Sequence, residues 1–319
     1  MTQTVESVMN VSEGRDLSRL QKIAQSIQAV PDAFLLDCHA DADHHRSVFS
    51  AIGTPASVAE AALAAVEAAV GLIDLRKHKG VHPRIGAVDV LPFVPIRDVS
   101  MEECICIAHE TGREIARRWE IPVYFYGEAA LTPSRRSLAE IRRGQFEGLS
   151  KEILENPRRR PDCGPSRLHP TAGAIAVGAR IPLIAFNIYL DVPDPDPARQ
   201  IAFRVREGGG GLPGIRALGL YLERRQGAQV SMNVTDYRTA GLVDVFNRVR
   251  EEARRLGCDV ASSEIVGLVP QDALPEDTVE HIHLEGFAAS KVLENRIAAA
   301  LDHKCSGNPE PFQPTWKLP

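Results

Sequence analysis

The sequence predicts an α/β (α+β) fold of two ββ-and-α units of the order βαββαβ, packed side by side with a ligand groove between them. Three observations predict it. Short runs with period-two alternation take turns with segments of helical period along most of the 319 residues. The order strand, helix, strand, strand, helix, strand occurs over residues 4–96 and again over 180–270. Between the two series, residues 146–179 are dense in Pro and Gly and read as a loop or boundary. The expected division is therefore 1–179, 180–300 and a Pro-rich surface tail over 301–319.

Each element has a local reason. TVESVMNVS (4–12) alternates and stops at Glu13-Gly14, a strand and its turn. Residues 16–30 carry apolar positions at helical spacing behind Asp16, a residue suited to capping. FLLDCHA (34–40) and HRSVFSAIG (45–53) flank the acidic turn DAD as paired strands. Residues 54–75 form the clearest helix, with Thr54 as cap and Pro55 in its first position. GAVDVLPFVPI (86–96) closes the first series as a strand, and a helix (100–120) and strand (122–129) follow. The second series has strands at 180–190, 215–224, 229–237 and 260–270, with helices at 196–208 and 240–257, the latter closed by Gly257. This is the ferredoxin-like order twice over, a repeat of architecture without evident repeat of sequence. Residues 278–302 read as one further helix, and the glycine run REGGGGLPG (206–214) reads as a mobile hairpin or lid.

Composition narrows the function. The apolar run 59–73 is interrupted by Glu60 and Glu67, so no membrane span is expected. A net charge of −5 argues against a general nucleic-acid binder. Six scattered cysteines form no CxxC pair, which fits reduced thiols in the cytoplasm. Basic clusters at 76–79, 133–143 and 157–160 suit anionic small molecules, or are solvated helix ends and loops.

The stretch RKHKGVHPRIGAVDV (76–90) holds the first chemical candidate, His82. Pro83 biases its backbone toward extended geometry, and Gly80 and Gly86 bracket it, so the ring sits on a defined loop at a strand entry. An imidazole there can take and return a proton at neutral pH, yet a single loop histidine is more often a surface residue, and spacing alone does not decide between them. His78 competes for the role from within a charged run. HADADHHR (39–46) has the residue types of a metal site without HExxH or HxH spacing, and an Asp-rich turn explains it without any ion. In it, Asp41 or His39 is expected to share the crevice with His82. GPSRLHPTAGA (164–174) has small residues that let a flat ligand approach the backbone, but carries no nucleotide motif. His281 and His283, two apart on an expected helix, point to different faces.

Several segments in order then carry a resemblance: NVSEGRD (10–16), LLDCHADADHHRSV (35–48), LIDLRKHKGVHPRIGAVDVLPFVPI (72–96), PVYFYGEAALTPSRRSLAEIRRGQFEGL (122–149), PDCGPSRLHPTAGAIAVGAR (161–180), LIAFNIYL (183–190), QVSMNVTDY (229–237) and SSEIVGLVP (262–270). In these the chain resembles the glutamate formimidoyltransferase family, in a form too short to include a cyclodeaminase domain. The resemblance implies transfer of a formimino group from N-formimino-L-glutamate to N5 of tetrahydrofolate, in histidine degradation. It implies His82 as the catalytic histidine, with tetrahydrofolate as co-substrate and no metal. It implies a folate-binding segment made of Gly164, Pro165, Ser166, Arg167, Leu168, His169, Pro170, Thr171, Ala172 and Gly173. A homodimer follows from the resemblance alone. His45 and Met9 depart from the family pattern, where Asn and Pro are usual. Arg46 and Arg84 are candidates to clamp glutamate carboxylates, and Asp41 or Asp89 to favour a cationic formimino group. Alternatives are an N-formylglutamate/5-formyltetrahydrofolate transferase, a folate-binding homologue without catalysis, and a metal hydrolase using 39–46.

Overall fold

A computed structural model describes residues 3–306 and 312–317. The chain divides into two compact units, residues 1–180 with 300–319, and residues 181–299.

The first unit runs β1 (Thr4–Val11), α1 (Leu17–Gln28), β2 (Ala33–Asp41), β3 (Arg46–Gly53), α2 (Pro55–Leu72), β4 (Val88–Arg97), α3 (Met101–Trp119), β5 (Val123–Gly127), α4 (Leu138–Arg142), α5 (Gln145–Glu155) and β6 (Ile175–Ala179). Helix starts follow their caps. The Asp16 carboxylate accepts the N–H groups of Ser18 and Arg19, Thr54 accepts that of Ser57 ahead of Pro55, and Ser100 and Glu103 form a reciprocal capping box. Strands β2, β3, β1 and β4 are neighbours in that order and antiparallel, the arrangement expected of a βαββαβ unit. One face of this sheet packs Met9, Leu35, Phe49, Phe93 and Phe125 against Leu20, Ile23, Ala61, Ala65 and Ile115 of α1 to α3. α2 is long and apolar enough to cross a bilayer, but its Val58, Ala61, Ala62, Ala65, Val66 and Ala69 are buried in this core.

Residues 146–179 are not simply a loop. They contain most of α5 and all of β6, and β6 lies between β4 and β5, parallel to both. The Pro and Gly that suggested a boundary crowd into 156–173, while Ile-Ala-Val-Gly-Ala of β6 is buried on both faces. α4 and α5 cover the sheet face opposite α1 to α3, where Ile141, Leu149 and Ile153 meet Val90, Tyr124, Tyr126 and Ala176.

The second unit runs β7 (Ile184–Leu190), α6 (Pro195–Val205), β8 (Ile215–Leu222), β9 (Gly227–Val234), α7 (Leu242–Arg255), β10 (Val260–Val266) and α8 (Thr278–His281). Its sheet order is β10-β7-β9-β8, antiparallel throughout, the same relative order as in the first unit. The glycine run is a wound helix terminus rather than a lid. Gly209 and Gly211 donate to the Arg206 carbonyl and Leu212 to that of Val205, and a Cβ on Gly209 would lie 1.8 Å from the Phe203 oxygen. Nor do residues 278–302 form one helix. After α8, His283 and Gly286 take positive φ, and α9 (Leu293–Cys305) begins only beyond them. His281 and His283 consequently both meet the Phe246 ring, at 6.1 and 5.3 Å.

Part of the segment expected as a surface tail has regular structure. Residues 301–305 continue α9, and β11 (Thr315–Lys317) adds to the edge of the first sheet, parallel to β2. Residues 307–311 and 318–319 lie outside the described residues.

Candidate active site

The loop from Leu75 to Gly86 is pinned by its buried side chains. His78 donates from Nε2 to the His45 carbonyl (2.8 Å) and accepts at Nδ1 from Arg84 Nε (3.1 Å). Burial, with the His45 and Arg84 charges, lowers its pKa to about 4. Both ring nitrogens of His78 are thus engaged in a neutral ring that stacks on His45 at 4.2 Å, so His78 holds the loop and is no rival acid–base group.

His82 differs. Its Nδ1–H donates to the Pro83 carbonyl at 2.9 Å, which leaves the Nε2 lone pair as the basic site. The ring is half-buried. Burial, and then the positive charges of Arg46 and Arg142 and the neighbouring His44, push its pKa well below the usual imidazole range. His82 is therefore neutral at pH 7, with one nitrogen fixed by backbone and the other free to take a proton.

The 39–46 turn lies against this loop. Gly80 permits it, since a Cβ there would sit 2.3 Å from the His44 carbonyl oxygen. The Asp41 carboxylate accepts the His44 backbone N–H (2.7 Å) and lies 3.6 Å from His44 Nδ1. The His44 ring in turn meets the His82 ring edge-on, with centroids 5.8 Å apart. Asp41 thus reaches His82 through His44, while His39 is buried in β2. His45, at φ 50°, donates from Nδ1 to the Lys79 carbonyl (3.1 Å) and pairs through Nε2 with Glu13 (3.1 Å). Burial alone would raise the Glu13 carboxyl, but His45 and the N–H groups of Arg15 and Asp16 outweigh it and hold the pKa at about 2. Among the described residues no group of three or more His, Cys, Asp or Glu side chains is arranged to hold a metal ion.

Asp89, near the start of β4, is fully buried. Its Oδ1 accepts the Ile85 N–H (2.8 Å), and its Oδ2 is shared by Arg46 Nη1 (2.8 Å) and Arg142 Nη2. Burial would raise this carboxyl, yet the two guanidinium groups win and keep it ionised. Arg46 also donates from Nε (2.9 Å) and Nη2 (2.6 Å) to Asn10 Oδ1, so each of its nitrogens has a partner.

Arg84 is taken up as well. It makes a bidentate pair with Glu147 of α5 (2.9 and 2.6 Å) and donates to Gln145 (3.1 Å) and His78. The donors of Arg46 and Arg84, expected to clamp substrate carboxylates, face Asn10, Asp89, Glu147, Gln145 and His78 in this structure. Asp89, expected to face a cationic formimino group, instead has both oxygens occupied by Ile85, Arg46 and Arg142.

Arg142 was not singled out in the sequence, where it is one basic residue of a cluster. Its frame explains it. Arg159, from the 157–160 cluster, is buried and donates to the carbonyls of Glu140 (2.7 Å), Ile141 (3.0 Å) and Arg143 (2.8 Å), which bracket Arg142 on the short helix α4. The basic clusters are therefore not merely solvated ends; Arg159 of one fixes the backbone that carries Arg142 of the other.

The 164–173 segment divides in two. Gly164, at φ 87°, packs on the Ile121 carbonyl, Arg167 is exposed beside Glu120, and Leu168 packs under α4 and α5. From His169 the chain turns tightly: His169 and Gly173 exchange backbone hydrogen bonds of 3.0 Å, and His169 Nδ1 accepts the Ala172 N–H at 2.9 Å. Thr171 and Ala172 then accept from Leu75 and Ala87 (both 2.9 Å), and Ala174 donates to Ile85. At φ 71° and with the Ile85 oxygen 2.2 Å from any Cβ, position 173 requires glycine. The half from His169 to Gly173 thus joins both ends of the His82 loop, and the half from Gly164 to Leu168 lies elsewhere on the unit.

With this geometry in place, comparison with known proteins decides the family. The formiminotransferase domain, N-terminal subdomain, matches residues 4–180, and the formiminotransferase domain matches residues 185–317. The chain belongs to the formiminotransferase family. It is 42% identical over 298 residues to a glutamate formimidoyltransferase of Streptococcus pyogenes serotype M1, covering 93% of this chain and 99% of that one. A glutamate formimidoyltransferase of Thermoplasma acidophilum is 40% identical over 93% of this chain and 98% of its own. The formimidoyltransferase-cyclodeaminase of Rattus norvegicus is 41% identical across all of this chain, which spans 59% of that protein. This formiminotransferase matches nearly the full length of both glutamate formimidoyltransferases.

Proposed function

We propose that this chain transfers the formimino group of N-formimino-L-glutamate to N5 of tetrahydrofolate, giving 5-formiminotetrahydrofolate and L-glutamate. The observation that carries the reading is His82 with a fixed tautomer in a chain of which 93% is matched by relatives named glutamate formimidoyltransferase. N5 attacks the formimino carbon, a bond forms to N5, and the bond from that carbon to the glutamate nitrogen breaks. The proton on N5 goes to His82 Nε2 and is returned to the departing amine. The neutral imidazole has its Nε2 lone pair available to accept, and its lowered pKa favours return of the proton to the amine. The His169–Gly173 turn, bonded to both ends of the His82 loop, supports a place for the pteridine next to that histidine. Alignment of the two substrates there supplies much of the rate. The ligands are small molecules, and six free cysteines support a reducing, cytoplasmic setting.

The test is turnover of tetrahydrofolate with N-formiminoglutamate, followed by absorbance, beside the same assay with N-formylglutamate. The proposal expects the amidine donor to be preferred. Preference for the formyl donor would replace the proposed donor, and inactivity with both would remove the proposed reaction.

A further inference from the structure

The buried charges around His82 do not balance. Arg46 and Arg142 share one carboxylate, that of Asp89, and His82, which feels both guanidinium charges, is neutral. The cluster therefore carries one positive charge in excess at a site largely withdrawn from water, which favours an incoming anion. The hydrogen-bond inventory says which residue receives it. The nitrogens of Arg46 and Arg84 have partners. Arg142, with a side chain 11% exposed, gives only Nη2 to Asp89, and its buried Nε has no hydrogen-bond partner. A guanidinium with donors left over, anchored through one nitrogen by a carboxylate and carried on a backbone segment fixed by Arg159, is built to grip a second carboxylate.

We infer that Arg142 binds the α-carboxylate of the amino-acid donor and so holds the leaving nitrogen over His82. The inference rests on the reaction proposed above. Two ligands of that reaction bear carboxylates, the donor and the glutamate tail of folate. The donor's α-carboxylate is one carbon away from the nitrogen that departs, whereas the folate tail is separated from N5 by the ring system and the aminobenzoyl group. A carboxylate bound beside the proton-transferring histidine therefore belongs to the donor. Arg142 is a substrate-binding residue in this role, and its neutralisation by the ligand would also ease transient protonation of His82.

The experiment pairs a change in the protein with the matching change in the substrate. The parent and Arg142→Gln are assayed with N-formiminoglutamate and with N-formimino-4-aminobutyrate, which keeps the distal carboxylate and lacks the α-carboxylate. The expected result is a loss of kcat/KM of roughly 100-fold for either change alone and little further loss for the two together. Arg142→Lys should recover part of the activity on the full donor, with KM for tetrahydrofolate unchanged. Losses that multiply would overturn the inference, as would an increase confined to the KM for tetrahydrofolate, which would assign the anion to the folate tail. The parent alone provides a test should the variant fold poorly: equal use of the two donors overturns the inference. Inactivity of the parent with both donors would instead remove the reaction on which it rests.

Discussion

At the scale of single residues, the chemistry turns on how one imidazole is wired. His78 and His82 are four positions apart, yet one has both nitrogens bonded inside the protein and the other has only Nδ1 bonded, to the Pro83 carbonyl. Base function requires the neutral ring, so kcat/KM rises with pH through the His82 pKa and is level above it. Because burial and the charges of Arg46, Arg142 and His44 lower that pKa, the acidic limb is expected well below pH 6.5. Arg142→Gln removes one of those charges and should move the limb upward, which a pH profile of kcat/KM reads directly. A limb that stays in place would show that Arg142 is not felt at His82. None of this wiring was legible in the sequence. The motif GVHPRIG identifies the histidine, but the tautomer depends on a carbonyl one residue away and the pKa on α4, sixty residues downstream.

At the scale of elements, Arg84 ties the His82 loop to α5. Its buried guanidinium makes a bidentate pair with Glu147 although the Glu147 side chain is 65% exposed, so solvent screens the carboxylate end. The larger part of its contribution comes from the hydrogen bonds to His78 and Gln145 and from its packing. Arg84→Ala should therefore lower stability by about 2 kcal/mol, and Glu147→Ala by well under half of that. Urea denaturation of the two variants checks it; equal losses would place the energy in the ion pair. The elements themselves were largely readable, because helix caps such as Asp16 and Thr54 and the alternation of β1 and β4 are local signals. β6 escaped because a short run of small residues after a Pro- and Gly-rich stretch looks like loop until a sheet closes on both sides of it. The glycine run misled for a related reason: glycine marks close backbone approach as often as freedom, and here Gly209 and Gly211 sit against the carbonyls of Phe203 and Val205.

At the scale of the whole molecule, the buried ionisable groups of the first unit set its response to acid. His78 is held near a pKa of about 4, below the 6.5 of an unperturbed ring, so the unfolded chain takes up the proton first. Stability accordingly falls as pH drops from 6.5 to 4, by about 3 kcal/mol in all. Glu13 has its folded pKa at about 2 instead of 4.5, so its contribution, again about 3 kcal/mol, is present above pH 4.5 and lost as pH falls toward 2. Glu13→Gln should reduce stability at pH 7 and flatten the lower window while leaving the upper one in place. Denaturant titrations at pH 7, 5 and 3 give the comparison, and a parent whose stability does not change over that range would contradict it. The twofold repeat of βαββαβ was visible from periodicity alone; among the described residues the first unit buries Glu13, His78, Arg84, Asp89 and Arg159, and the second Glu252 and Glu264.

The most direct measurement is the rate of His82→Ala beside the parent, with tetrahydrofolate and N-formiminoglutamate at saturation and folding checked by circular dichroism. The account predicts a folded variant whose kcat falls by about 10³, the scale of a lost general acid–base group. A folded variant within a few-fold of an active parent would contradict it and return His82 to the role of a loop residue.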